Sequence, residues 1–333
     1  MQRLLQWLKA FYTFCLCLCF CLCTLALLAI SALSLFNSMG QLGELCCHLN
    51  ALCLYVSLLV LLIITGDSCF FKRRLLIAKV SSVLLLSIAG LCLYRLIPFY
   101  LSVDRPRESN LSLLHLNLLG HYNHDQKTMF DQLESLKPDI VLVSELCGGW
   151  EKFLDTRMLA SYPYCDNLPV SGFLRIYSKY PFKYAQLRHI TYGDRARILA
   201  RIDHPTLGPI TIILAHPYIP LGPPGHFAAR NEELAIYPKE LHEFGDPAIL
   251  VGDLNCTQWS PYFGKLLEDG NLKDSARGFG FAPSWPAMYS PPFLPIDHVL
   301  VTQNIMVKER RLLGAAGSDH YPLFVRLAVN SSN

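Results

Sequence analysis

The sequence predicts a mixed α/β domain over residues 110–333, preceded by a membrane anchor of three helices over residues 1–100. Three observations carry this reading. The composition is 52% hydrophobic and only 17% charged. Three long apolar runs are confined to the first hundred residues. Beyond them, short β-type runs alternate with stretches of helical periodicity. An ordinary soluble domain holds about 25% charged residues, so the chain is too apolar to be one throughout.

The anchor comes first. No charged residue lies between Lys9 and Glu44 or between Glu44 and Asp67, and Leu75 to Tyr94 contains Lys79 alone. Each run is long enough for a bilayer-spanning helix, which needs about 20 residues. Helices are expected at 11–35, 46–65 and 75–97. A cleaved signal peptide is the competing reading of the first run. The two spans that follow it, and its own length, disfavour that reading. Arg3 and Lys9 precede the first run, and Lys72, Arg73 and Arg74 separate the second from the third. The connection between the first two has no Lys or Arg. The positive-inside bias then places the N-terminus in the cytoplasm and everything after Pro98 outside it. Arg95, Arg105 and Arg107 run against that bias. The expectation is a multi-pass protein of the cell membrane, with the lipid bilayer as partner and an extracytoplasmic domain.

Charge and cysteine divide along the same boundary. The formal net charge is +3. Residues 1–108 hold nine Lys/Arg against four Asp/Glu, whereas residues 109–333 hold twenty against twenty-two. The basic excess is therefore a topology signal, not a nucleic-acid patch. Ten of the thirteen cysteines precede residue 93. The alternating Cys15, Cys17, Cys19, Cys21 and Cys23 cannot converge on one ion, because a spacing of two spreads them around a helix. There they act as small apolar residues. Cys147, Cys165 and Cys256 give no disulfide framework.

Residues 101–109, LSVDRPRES, read as a polar linker. Strands are expected at 111–118, 140–143, 172–177, 198–202, 210–215, 248–251, 298–301 and 324–329. Helices are expected at 127–136, where Met129, Phe130, Leu133 and Leu136 share one side, and at 230–243 and 262–268. About 225 residues are enough to bury a substantial core.

Polar residues stand at the ends of these strands. Asn117 ends the first and Glu145 the second, in DIVLVSEL. His216 follows TIILA, and Asp253 and Asn255 follow AILVG as GDLN. Asp297 opens PIDHVLV, and Asp319 and His320 stand in GSDHYPL. Each alone is an ordinary cap or turn residue. Eight of them in one order, at strand ends where α/β folds place reactive groups, exceed what caps explain.

In this order they resemble the endonuclease/exonuclease/phosphatase superfamily, over about residues 109–329. The three apolar helices, the WSPYF after GDLN and the SWP at 284–286 resemble a bacterial membrane-anchored branch of it. The resemblance implies a four-layer αββα sandwich, two packed sheets flanked by helices. It implies hydrolysis of a phosphate ester with Mg²⁺ as cofactor, or Mn²⁺ in its place. Glu145 would ligate the metal, with Asn117 supporting it. Asp253 would orient or deprotonate the attacking water, and Asn255, His216 and His320 would meet the phosphate. Asp297 and Asp319 would orient imidazole.

Other residues invite readings. Arg230 is either a substrate or scaffold contact or a helix-surface partner of Glu232 or Glu233. His121 and His124 read as surface loop histidines. His298 would point away from Asp297 on a strand, and Trp259 and Trp285 either line the cleft or pack. For substrate, the domain's charge gives no basic run to neutralise nucleic-acid phosphates. A phospholipid or other membrane-proximal ester is favoured. A nuclease acting outside the cytoplasm, and a degenerate domain used only for binding, are the alternatives.

Overall fold

The computed structural model describes residues 2–36, 40–70, 75–166, 168, 173–190, 195–289, 291 and 293–330. Lys72, Arg73 and Arg74, which carry part of the topology expectation, lie outside these residues, as does the start of the strand expected at 172–177. The chain divides into two units, Met1–Ile97 and Pro98–Asn333.

The first unit is helical: α1 (Gln2–Leu35), α2 (Gln41–His48), α3 (Asn50–Phe70) and most of α4 (Leu75–Tyr100). Among the described residues, two helices are long and apolar enough to cross a membrane, through Cys17–Leu35 and Leu76–Tyr100. The single helix expected at 46–65 is instead a pair, α2 and α3, bent by 61° around Leu49. If the pair is one broken span, the number of crossings is three. Glu44 lies fully buried in α2, with its Oε1 3.0 Å from His48 Nε2. Cys47 Sγ lies 3.9 Å from the other ring nitrogen, Nδ1. Glu44, Cys47 and His48 each offer a potential ligand atom, and these atoms lie within 4.8 Å of one another.

The second unit holds β1 (Leu111–Asn117), α5 (Gln126–Leu136), β2 (Ile140–Ser144), α6 (Trp150–Met158), β3 (Tyr164–Cys165), β4 (Arg175–Ser178), β5 (Phe182–His189), β6 (Ala196–His204) and β7 (Gly208–Ala215). It continues with α7 (His226–Phe244), β8 (Ala248–Asp253), α8 (Pro261–Asp269), β9 (Leu272–Asp274), β10 (Asp297–Thr302), β11 (Ile305–Leu312) and β12 (Leu323–Val329). Two six-stranded sheets form, ordered β11-β12-β1-β2-β4-β3 and β5-β6-β7-β8-β10-β9. Both mix parallel and antiparallel pairs: β1 runs parallel to β2 and antiparallel to β12.

The layers follow from the period of two along each strand. Leu113, Leu142, Ile212, Val251 and Val299 belong to the central core, where the sheets face each other. Their sequence neighbours point outward. Leu114, Val141 and Val143 meet Met129 and Leu133 of α5 and Trp150 and Leu154 of α6. Ile213, Leu250 and Leu300 meet Leu234 and Leu241 of α7 and Phe263 of α8. Strands covered on both faces read as continuous apolar runs, which is why the inner strands are legible in the sequence. Helix ends obey local rules. Asp125 accepts from Thr128 N to start α5, and Ser260 from Tyr262 N to start α8, with Pro261 in its first turn.

Four strands without a counterpart in the sequence reading, β3, β5, β9 and β11, are the four sheet edges. Edge strands are half-exposed and carry charge, as in FKYAQLRH and IMVKERRL, and charge on an edge blocks pairing with other chains. The helix α6 was also without an expected counterpart. Residues 101–109 carry no helix or strand, but Arg105 donates to Gly278 O at 2.7 Å and covers the Phe279 ring at 4.3 Å.

Gly252 has a positive φ, and a Cβ there would run into the carbonyl oxygen of Ala215 on the neighbouring strand. Helical Gly264 has open space around it. Gly252→Ala is expected to destabilise the protein by about 2 kcal/mol or more. Gly264→Ala is expected to leave it unchanged or gain about 0.5–1 kcal/mol. Thermal melts of both variants check this pair, and equal behaviour would contradict it.

Candidate active site

The site is where the inner apolar rows end. In β1 the row Leu111, Leu113 continues with His115 and Asn117. In β8 the row Ile249, Val251 continues with Asp253, and in β7 the row Ile212, Leu214 continues with His216 just past the strand. β10 runs antiparallel to β8 with Asp297 opposite Asp253, so Asp297 heads the row Val299, Val301. Ser144 continues the row of Leu142 in β2. All these polar side chains therefore meet at one rim, between the sheets. His298 is out of phase: its Nε2 lies 2.8 Å from Cys256 O, and its ring lies against Phe263.

Two residues leave their strands in left-handed conformation, Glu145 at φ 57° and Asn255 at φ 48°. Such conformations are uncommon for residues with side chains and cluster where function demands them. Asn117 Nδ2 lies between two carboxylates, donating to Glu145 Oε1 at 3.1 Å and to Asp253 Oδ2 at 3.2 Å. Asp253 Oδ1 accepts from Asn255 N at 2.9 Å. His216 Nε2 lies 3.7 Å from Glu145 Oε1 and 3.6 Å from Asp253 Oδ2. His320 Nε2 also lies 3.6 Å from Asp253 Oδ2. Behind it, His320 Nδ1 meets Asp297 Oδ2 at 2.7 Å, and His115 Nδ1 lies 3.2 Å from Asp297 Oδ1.

The electrostatics follow from burial and partners. Burial pushes Asp253 up to about 7, against the opposing charge of His320. Burial would raise Asp297 too, but the His320 charge and hydrogen bonds from His115 and His320 hold it well below the carboxylate range. Burial would lower His320, yet Asp297 and Asp253 hold it up at about 10. Burial and the Arg195 charge push His216 well below its ordinary value. The rim thus pairs a cationic imidazole with a neutral one, on either side of a carboxyl poised near neutrality.

Of the residues the sequence singles out, Asn117, Glu145, His216, Asp253, Asp297 and His320 come together. Asn255 holds the loop: its Nδ2 donates to Pro217 O at 3.1 Å. Asp319 turns elsewhere. Its Oδ2 accepts from Trp285 Nε1 at 2.9 Å, so Asp297 orients the imidazole and Asp319 fixes the Trp285 loop. Arg230 is fully buried and donates to Asn255 O at 3.0 Å, a scaffold contact and not a surface pair. Trp259 packs on Phe281, and His121 and His124 are exposed. His115, Ser144 and Arg195 are absent from the sequence reading. His115 was findable, because it stands two residues before Asn117 in the same row. Its Nε2 lies 3.1 Å from Ser144 Oγ. Arg195 carries no sequence signal.

The donor set fits a hard divalent cation. Glu145 is a carboxylate at the rim with a side chain 31% exposed, and it can accept on both oxygens. Mg²⁺ takes one or two carboxylates and keeps several waters, which suits a half-exposed acid with an amide beside it.

The profile of one family, described as Endonuclease/Exonuclease/phosphatase family, matches residues 114–320. No curated protein matches the chain. Among solved structures, an endonuclease/exonuclease/phosphatase from Beutenbergia cavernae aligns at 18% identity over 67% of this chain and 72% of its own, with a TM-score of 0.55. D. rerio TDP2 complexed with single strand DNA product aligns at 16% identity over 67% and 100%, with a TM-score of 0.53. Beta toxin from Staphylococcus aureus with bound magnesium ions aligns at 17% identity over 66% and 99%, with a TM-score of 0.51. At these identities the likeness is one of fold, and it places the two packed sheets and flanking helices in that fold.

The buried pair also sets a pH dependence. Folded His320 binds its proton more tightly than the unfolded residue, so its contribution to stability is complete below its ordinary value of 6.5 and is lost as pH rises towards about 10. Asp297 contributes above its ordinary value of 3.8 and loses that contribution as pH falls through its lower folded value. The gap in melting temperature between the native protein and His320→Asn is therefore expected to be widest near pH 5–6 and to narrow steadily towards pH 10. A gap that widens above pH 6.5 would contradict the pairing.

Proposed function

The chain belongs to the endonuclease/exonuclease/phosphatase family, and on that premise we propose that it hydrolyses a phosphate ester with a divalent cation, at the membrane that its apolar helices span. The observation that carries the reading is the setting of Asp253. A buried carboxyl raised to about 7 lies 3.6 Å from each of two imidazole Nε2 atoms, with the Glu145 carboxylate on the same rim.

Bound Mg²⁺ or Mn²⁺, held by Glu145 with Asn117 beside it, would stabilise negative charge on a phosphate oxygen and on the leaving oxygen. The remaining steps belong to the chain. Asp253 Oδ1 is fixed by the backbone N–H of Asn255, which aims the carboxylate at one position. A group near neutrality is matched to taking a proton from water at physiological pH. His320 stays cationic because Asp297 lies behind it, and its Nε2–H donates to the phosphate. His216 donates from the opposite side.

The substrate preference rests on the chain itself. Residues 109–333 carry a slight acidic excess, whereas nucleic-acid binding draws on Lys and Arg to neutralise phosphates. Among the described residues, two helices long and apolar enough to cross a membrane, or three crossings with the bent α2–α3 pair, precede the domain. A phospholipid or other membrane-proximal ester is the favoured class; with the bent α2–α3 pair counted as a third crossing, Arg3 and Lys9 at the start of α1 favour the extracytoplasmic side for the domain.

The test uses the full chain in detergent with Mg²⁺. Substrates are phospholipid vesicles, single-stranded DNA and bis(p-nitrophenyl) phosphate. Turnover is expected to vanish in EDTA and to fall by about 10²–10⁴-fold in Asp253→Asn, His320→Asn and Glu145→Gln. Turnover undiminished in EDTA or in Asp253→Asn would sink the metal-hydrolase reading. Cleavage of DNA without cleavage of lipid would replace the substrate preference with a nuclease.

A further inference from the structure

His216 has a second partner. Arg195, half-buried just before β6, places Nη1 3.0 Å from His216 Nδ1. The register sets this up: Ile198 lies opposite Leu214 in the antiparallel β6–β7 pair, so both residues lie just past the end of the same ladder. The guanidinium also covers the Tyr218 ring at 5.4 Å.

A guanidinium carries N–H donors, has no acceptor and stays charged. The contact is therefore a hydrogen bond only when His216 Nδ1 is the acceptor. The imidazolium and the Nδ1–H tautomer would each set N–H against N–H at 3.0 Å. One state is left, the neutral ring with its proton on Nε2. That nitrogen faces Glu145 Oε1 at 3.7 Å and Asp253 Oδ2 at 3.6 Å, both acceptors. A single proton assignment thus agrees with both sides of the ring. His320 shows the opposite arrangement, because its Nδ1 meets the Asp297 carboxylate at 2.7 Å.

We infer that Arg195 is a positioning residue that locks His216 as the neutral Nε2–H tautomer, making His216 a fixed hydrogen-bond donor to the phosphoryl group of the substrate. His216 then serves neither as a base nor as a ligand to the cation, since its inward nitrogen carries the proton. This inference rests on the phosphoester-hydrolase reading and assigns one residue's part in it.

Two measurements on the full chain in detergent test it. The first is a long-range ¹H–¹⁵N correlation spectrum of histidine-labelled protein, with the His216 signal identified by its loss in His216→Gln. The native protein is expected to show the Nε2–H pattern, and Arg195→Met to move it to the other tautomer or to the imidazolium. An unchanged pattern in Arg195→Met would overturn the lock. The second is a double-mutant comparison with bis(p-nitrophenyl) phosphate and Mg²⁺. Arg195→Met is expected to lower kcat about tenfold or more in the native background, with KM within about threefold. In His216→Gln, whose amide donates without tautomers, the same change is expected to alter kcat by less than about twofold. Equal losses in both backgrounds, with a raised KM, would make Arg195 a direct substrate contact and overturn the inference. A native protein with no phosphoesterase activity would sink the parent reading, while the spectrum would still decide the tautomer.

Discussion

The buried carboxylate of Asp297 is the constraint on which the rest of the second unit depends. It is 1% exposed and belongs to β10 of the second sheet. Its two oxygens are held by imidazoles attached to the first sheet: His115 within β1, and His320 three residues before β12. A lone ionised carboxylate in this position would cost several kcal/mol in lost hydration. The sheets must therefore approach closely and in one register at this rim. That requirement also aims His320, because a ring fixed through Nδ1 can present only Nε2 to Asp253. Packing and chemistry share one interaction here.

From it follows an asymmetry between the two histidines that flank Asp253. Each presents Nε2 at 3.6 Å from the same oxygen. Behind one ring stands a carboxylate, behind the other a guanidinium. Opposite partners give opposite proton states. The site therefore holds one cationic donor and one neutral donor at a single pH, and neither has to exchange a proton with solvent to be ready.

The sequence made much of this legible, for a reason that also explains what it concealed. Strands buried on both faces are apolar at most positions, so the inner strands stand out, and the polar residues that end them stand out in turn. Asn117, Asp253 and Asp297 extend inner rows that include Leu113, Val251 and Val299. His115 extends the same row as Asn117, yet a lone histidine inside a strand reads as core. The four edge strands were invisible because their mixed, half-exposed residues have no clean period. Asp319 looked like a partner for its neighbour His320. Backbone geometry instead turns the carboxyl towards Trp285, 34 residues away in sequence. Arg195 reaches the site through strand register, which no local pattern encodes. In the first unit, composition marked the apolar runs but not the bend at Leu49.

In the proposed function Glu145 offers a rim carboxylate to a hard cation, beside Asp253 and two histidines that need no such ion for their placement. The most direct measurement is an electron paramagnetic resonance titration of Mn²⁺ into the full chain in detergent. The free-ion signal is expected to be suppressed by the native protein and by His320→Asn alike, whereas Glu145→Gln weakens binding by about tenfold or more. Equal Mn²⁺ affinity in the native protein and in Glu145→Gln would contradict it.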